Sequence, residues 1–502
     1  MSTRMQRGQA LILIALAFVG LAAFIGLAVD AGILFTDVGH LRRAVDAASL
    51  SAANQFREGR TIAQLTASAR QVLALNGMNA ASVGVLVETC DTNPGDPELC
   101  YTPPRKLVRV RGDLPVYFAF LPIIGFNTVT IHANAISEAA SIDIVLTIDT
   151  SESQAYDASC SNGTNDDAWA EINLGAGVDD GVADDGCGST PVAGLYPDDY
   201  MRDPDNCNAP KECRPFRDVQ DAAVALTTRL LPPYDRMAII TFDRNAGVRM
   251  NLNHQTAFGL TNAGYLSALA TQIMALDVYK FPGCAGYPPS PAGCTSTNTA
   301  DGLKAAGNQF GLFKREEAVW IVILLSDGGA NAATDSLGAW ICPGGPGAAN
   351  WVEPFCRDPI AATRHISTNA AYDPDDAARD LGDWVGCLDS NTPASEQHGT
   401  CAALAPTYGQ GAVIFTIGLG ELVTNNTNCD GPTWGGSCEL DVGEKLLRYI
   451  AAVGDDGDPT TDLCASAARG ADCGNYYYSP TGSGLLEVFE AIASRIFTRI
   501  TH

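Results

Sequence analysis

The chain of 502 residues carries 57 acidic side chains against 31 Lys and Arg, a formal net charge of -26, and 46% of its residues are apolar. Such a balance offers no basic footprint for nucleic acid and repels anionic surfaces, while the apolar content excludes a disordered acidic tail. The length suffices to bury a large core, arranged in two or three units.

Residues 10–29, ALILIALAFVGLAAFIGLAV, are twenty uncharged residues, enough to span a bilayer as a helix. Arg4 and Arg7 precede them and Asp30 follows, which puts the N-terminus in the cytoplasm and the bulk of the chain outside. The apolar core is longer than that of a signal peptide. The pattern also continues without Pro through DAGILFTDVGHLRRAVDAASLSAANQF, so residues 1–55 are expected to form a retained membrane anchor and a continuing helix. The stretches RGQALILIALAF, GLAVDAGILF and LRRAVDAASLSAA resemble the N-terminal region of TadE/TadG-like proteins of tight-adherence (Flp-type) pilus systems. That family includes pseudopilins that are cut after a Gly and keep a Glu at the fifth position beyond it. Counted from Gly8 the fifth residue here is Leu13, which favours an uncut, TadG-like anchor.

Residues 56–140 read as a small α+β stalk. A helix is expected within 60–80, then strands at SVGVLVET, KLVRVRGDL and NTVTIHANAIS. In the last, Val129, Ile131, Ala133 and Ala135 alternate with Thr130, His132 and Asn134, the pattern of a half-buried strand. The stretch YFAFLPIIGFNTVTIHANAISEA continues the TadG-like resemblance.

Sixteen cysteines occur, none before Cys90 and none in a CxxC pair, which speaks against zinc ribbons and thioredoxin-type sites. They fall into near neighbours: Cys90 and Cys100, Cys160 and Cys187, Cys207 and Cys213, Cys284 and Cys294, Cys342 and Cys356, Cys387 and Cys401, Cys429 and Cys438, Cys464 and Cys473. Disulfides closing local loops in an oxidising compartment are the simplest account, and the anchor gives the same compartment.

From residue 141 to 502 apolar strands alternate with amphipathic helices. The strands are IDIVLTI (142–148), RMAIITF (236–242), AVWIVILL (318–325), GAVIFTIGL (411–419) and NYYYS (475–479). The helices are VQDAAVALTTRLL (219–231), TADGLKAAGNQFGLF (299–313), GEKLLRYIAAV (443–453) and GLLEVFEAIASRIF (484–497). Continuous apolar strands alternating with helices predict an α/β fold with a doubly wound, mostly parallel sheet. Polar insertions rich in Gly, Asp and Cys lie near 154–216, 281–295, 330–408 and 420–440. Loops of this length are usually functional, and their positions predict that they crowd one edge of the sheet.

That edge carries chemistry. Ligands of open α/β sheets bind beyond the carboxyl ends of the strands. IVLTIDTSES places Asp149, Ser151 and Ser153 at one such end, CTSTNTADGL places Thr297 before a helix, and VILLSDGGAN places Asp327 at another strand end. Thr295 and Thr299 are rival choices for the threonine. Two carboxylates and three hydroxyls suit a hard cation such as Mg²⁺, Mn²⁺ or Ca²⁺ and not zinc. This order of residues resembles the von Willebrand factor A (vWA) domain and its metal-ion-dependent adhesion site (MIDAS), whose pattern is DxSxS, then Thr, then Asp. AIITFDRNAGV, IFTIGLGE and YYYSPTGSGLLEVFEAIASRI extend the likeness over about 141–500. The resemblance implies that Ser151, Ser153 and Thr297 ligate directly and that Asp149 and Asp327 act directly or through water. One departure is that some sixty residues separate Ser153 from Val219, where the family's first helix starts soon after the second Ser.

The acidic run VDDGVADDGCG (178–188) offers Asp179, Asp180, Asp184 and Asp185 to Ca²⁺, but it lacks EF-hand spacing and a closing Glu and reads rather as a solvated loop. Neither GxSxG, HExxH, a P-loop nor a strand-borne GxGxxG occurs, so a non-enzyme is expected. The resulting expectation is a single-pass, extracytoplasmic protein of the cell surface. It would bind a protein ligand offering a carboxylate through a divalent cation, in adhesion or in the assembly of tight-adherence pili. The alternative is a structural, pseudopilin-like or pilus-tip component whose A domain needs no metal.

Overall fold

The computed structural model describes residues 6–57, 59–79, 81–151, 154, 215–278, 297–334, 341, 364–365, 369, 372–387, 410–424, 441–457 and 464–499. The chain divides into two compact units, Met1–Ser141 and Ile142–His502.

In the first unit one helix, α1 (Gln6–Arg57), is followed by α2 (Ile62–Leu75) and strands β1 (Gly84–Glu88), β2 (Lys106–Tyr117) and β3 (Thr128–Ala139). The strands form an antiparallel sheet in the order β1-β2-β3. α1 has two different halves. From Leu11 to Leu27 its large apolar side chains are exposed. It is the one helix among the described residues long and apolar enough to cross a membrane, with a mean hydropathy of 2.8 in its most apolar stretch. Further on, Leu41, Ala44, Val45, Ala48, Ala52 and Phe56 are buried, a spacing of three and four that lines one face of a helix. That stripe lies on the sheet. A Cβ at Gly112 of β2 would come within 2.8 Å of Val45 Cγ2, so the small residue sets how closely helix and sheet approach. A disulfide joins Cys90 to Cys100 between β1 and β2.

The second unit is a three-layer α/β arrangement. Its strands are β4 (Ser141–Asp149), β5 (Arg236–Phe242), β6 (Ala246–Met250), β7 (Ala318–Ser326), β8 (Val413–Leu419) and β9 (Tyr476–Ser479), in the sheet order β6-β5-β4-β7-β8-β9. β4 and β5, β7 and β8, and β8 and β9 pair in parallel, whereas β6 runs antiparallel at the edge. The major helices are α3 (Phe216–Thr227), α4 (Asn262–Met274), α5 (Thr299–Leu312), α6 (Pro374–Gly386), α7 (Val442–Asp456) and α8 (Leu485–Arg499).

Alternation along each strand sorts the core into two layers. Ile142, Ile144, Leu146 and Ile148 of β4 join Ile321, Ile323 and Leu325 of β7 in one layer, against α3, α4 and α8. Val145, Ile240, Val322 and Leu324 face the other way, against α5, α6 and α7. β4 is buried along its whole length, as a central parallel strand must be. A second described disulfide joins Cys464 to Cys473. The expected partners of Cys160, Cys207, Cys284, Cys342, Cys387 and Cys429 lie outside the described residues.

Three of these elements differ from the sequence expectation. β6 and α4 lie where no element was assigned, and α6 lies inside the stretch 330–408 read as an insertion. α6 begins with a capping box, in which Asp373 and Asp376 each accept the other's backbone N–H, so local capping starts a helix in an otherwise polar region.

At the amino end of β4 the buried Asp143 is held between two arginines. Arg236 makes a two-pronged contact at 2.8 and 2.6 Å and also donates to Phe313 O. Arg315 pairs with the same carboxylate and donates to Tyr234 O at 2.9 Å. Asp143→Ala would leave both guanidiniums without their carboxylate in the interior, where breaking such a pair costs roughly 3–5 kcal/mol. Urea unfolding read by tryptophan emission measures this, because all six Trp lie between residues 169 and 434; the variant's midpoint is expected to fall sharply, with unchanged slope.

Candidate metal centre

The strand order places the crevice. β4 connects onward to β5 on one side, while β7 flanks it on the other, so the chain leaves β4 and β7 in opposite directions at their carboxyl ends. Such a switch point opens a gap that side chains and ligands can fill.

Asp149 is the last residue of β4 and is fully buried. One carboxylate oxygen accepts the Ser151 N–H at 2.9 Å, and the other accepts the Ser326 hydroxyl at 2.7 Å. The main chain is tied sideways, since Thr150 donates its N–H to Phe242 O at 2.8 Å. Burial pushes the Asp149 carboxyl up to about 6, the hydroxyl and N–H bonds oppose this, and the neighbouring Asp243 charge adds to it. Asp243, just beyond β5, is itself raised, chiefly by burial, against N–H bonds from Asn245 and Arg244.

Thr297 is buried and stands two residues before α5. Its N–H donates to Asn331 Oδ1 at 2.6 Å, and the Asn331 N–H returns to Thr297 O at 3.1 Å. Asn298 caps α5 by accepting the Asp301 N–H at 3.0 Å, and donates its own N–H to Asp243 O at 2.8 Å. Asp301 in turn accepts the Thr334 hydroxyl at 2.7 and 2.9 Å. The turn after β7 is thereby laced to the start of α5, and the start of α5 to the end of β5. α5 can lie this close because of Gly302, where a Cβ would meet Phe242 at 2.9 Å and Thr147 at 3.3 Å. Asp327 follows β7 directly and is buried.

Four of the five residues singled out by sequence, Asp149, Ser151, Thr297 and Asp327, thus stand at the ends of adjacent elements on one sheet edge. Ser153 lies outside the described residues, as do Thr295 and the acidic run 178–188. Three further groups take part. Ser326 holds Asp149, Asp243 acts on it by charge, and Asn331 holds Thr297. Each adjoins a quoted motif, in LLSDGGAN and AIITFDRNAGV, but only the folded arrangement gives them these roles.

Among the described residues no three His, Cys, Asp or Glu side chains gather into a metal cage; the donors here are two carboxylates with hydroxyls. That set fits a hard divalent cation. The state of Asp149 points the same way. It is buried, its described partners are neutral, and the charge acting on it is a like one, so a cation would relieve it.

A carboxyl raised in the folded state binds more protons there than when unfolded, so its ionisation lowers stability as pH rises from about 4 to about 6. Asp149→Asn removes this loss. In chelator, the variant is expected to gain on the parent across that interval by on the order of 3 kcal/mol at most, read as the difference in urea stability at the two ends.

No protein-family model and no curated protein matches the chain. Solved structures do match, at low similarity. The pilus adhesin SpaC from Lactobacillus rhamnosus GG is 11% identical with a TM-score of 0.35, over 84% of this chain and 35% of that one, so the match spans about a third of that protein's length. The vWF domain of the type V pili tip protein Mfa5 from Porphyromonas gingivalis is 14% identical with a TM-score of 0.33, over 72% of this chain and 97% of that one. Proximal thread matrix protein 1 from the mussel byssus, with a zinc-occupied MIDAS motif, is 14% identical with a TM-score of 0.29, over 72% and 46% of the two chains.

Proposed function

We propose that the protein is a membrane-anchored, extracytoplasmic vWA protein of TadG-like type, a binding protein and not an enzyme. It takes a protein ligand through a divalent cation, in pilus assembly or cell-surface adhesion. The observation that supports this reading is that Asp149 ends β4 with Ser151 just beyond it, Thr297 precedes α5 and Asp327 follows β7, which lies beside β4 in the sheet. Asp149, Ser151, Ser153, Thr297 and Asp327 would hold Mg²⁺, or Mn²⁺ or Ca²⁺. A cation held largely by neutral hydroxyls keeps net positive charge and attracts a carboxylate from outside.

The chain's own residues do the positioning. Ser326 fixes the Asp149 carboxylate, and Asn331 fixes the backbone of Thr297. The exposed apolar run of α1 supports the anchor, and Arg4 and Arg7 before it support a cytoplasmic N-terminus.

Calorimetric titration of Mg²⁺ and Mn²⁺ into the oxidised protein tests the site. Binding heat is expected for the parent and is expected to vanish in Asp149→Ala/Asp327→Ala. Binding that survives in the double variant would move the cation elsewhere, and the acidic run at 178–188 would be the next place to look. Absence of heat at millimolar ion would favour the structural, metal-independent reading.

A further inference from the structure

We propose that the tip of the β2–β3 hairpin, residues 118–126, is a second membrane contact, seated at the hydrocarbon boundary of the bilayer beside α1. The inference rests on reading α1 as the membrane span.

Asp30, which follows the apolar run, accepts the N–H groups of Ala119 at 2.7 Å, Phe120 at 3.0 Å and Leu121 at 2.7 Å. One turn earlier Gly26 lies against Phe120, whose Cβ would come within 2.9 Å of a Cβ placed there. The tip is therefore level with the last apolar turn of α1. At 1.5 Å per residue the run from Leu11 to Val29 covers about 28 Å, close to the roughly 30 Å of a bilayer's hydrocarbon core. A helix that fills this core places the tip at its outer face.

The tip reads FAFLPIIGF and contains no charge. Phe120, Ile123, Ile124 and Phe126 project outward, Ile123 with 83% of its surface exposed. Tyr117, at the end of β2, is exposed just beside them, an aromatic of the kind that sits at headgroup level. This patch is continuous with the exposed apolar side chains of α1, which favours lipid over a protein as its occupant.

Hydrocarbon admits a loop only if its polar groups are satisfied within the protein. Phe118 donates to Asn127 O, and Ala119, Phe120 and Leu121 donate to Asp30. Ile123, Gly125 and Phe126 donate to Phe120 O, Pro122 O and Leu121 O, each at 3.1 Å. Pro122 has no N–H to satisfy. Asp30 answers its own burial in the same contacts, because three N–H donors surround the carboxylate.

The test uses the full oxidised chain in phosphatidylcholine vesicles whose lipids carry bromine near the headgroup or near the chain end. The native Trp all lie between residues 169 and 434, so the parent supplies the background. The added emission of Ile124→Trp, and of Phe126→Trp as a second probe, is expected to shift to the blue and be quenched, more by shallow than by deep bromine. Phe18→Trp reports the span and is expected to be quenched more by deep bromine. If Phe18→Trp is quenched and neither tip probe is, the hairpin inference fails and the span stands. If Phe18→Trp is not quenched either, the span reading fails and the inference with it.

Discussion

The buried carboxylate of Asp149 is the constraint on which the second unit turns. It stands at one end of the central strand, and Asp143 stands near the other. Both are fully buried. Asp143 faces two guanidiniums that match its charge and its geometry. Asp149 faces hydroxyls, an N–H and a like charge from Asp243. One strand thus carries a neutralised acid at its amino end and an acid that lacks such neutralisation at its carboxyl end. A buried anion in that condition either takes up a proton or takes up a cation. The proposed cation would use the hydroxyls and carboxylates of the same sheet edge.

Sheet order turns this local imbalance into a site. Placing β4 between β5 and β7 makes the connections diverge at the strand end that carries Asp149. The remaining candidates are then brought in by backbone bonds, through the Asn331–Thr297 pair and the Asn298–Asp243 contact. Gly302 lets α5 settle on Phe242, and so sets how near Thr297 comes to the strand ends. Thr297 is therefore placed through its backbone, and the Asp149 carboxylate through its own bonds to the Ser151 N–H and the Ser326 hydroxyl.

The sequence made the central strands legible because burial on both faces leaves an unbroken apolar run, as in IDIVLTI and AVWIVILL. β6 escaped because it is a short edge strand of five residues with two of them exposed. α6 escaped because its sequence, PDDAARDLGDWVG, is polar in composition and is fixed by acid–base pairs such as Asp375 with Arg379. At the site, Asp149, Ser151, Thr297 and Asp327 were legible as a spaced motif. Ser326, Asp243 and Asn331 were not, because their roles depend on which strands lie side by side. In the first unit Asp30 was read as the end of an apolar run and as part of the TadG-like stretch GLAVDAGILF, not as a partner of the hairpin. Its bonds to Ala119, Phe120 and Leu121 cross about ninety residues of sequence and leave no local signal.

The most direct measurement is X-ray diffraction at the manganese edge from crystals of the oxidised protein grown in Mn²⁺. The account predicts an anomalous peak within about 2.5 Å of hydroxyl oxygens of Ser151 and Thr297, beside the carboxylates of Asp149 and Asp327. A well-ordered sheet edge with no peak there, and Asp149 still bonded only to Ser151 and Ser326, would contradict it.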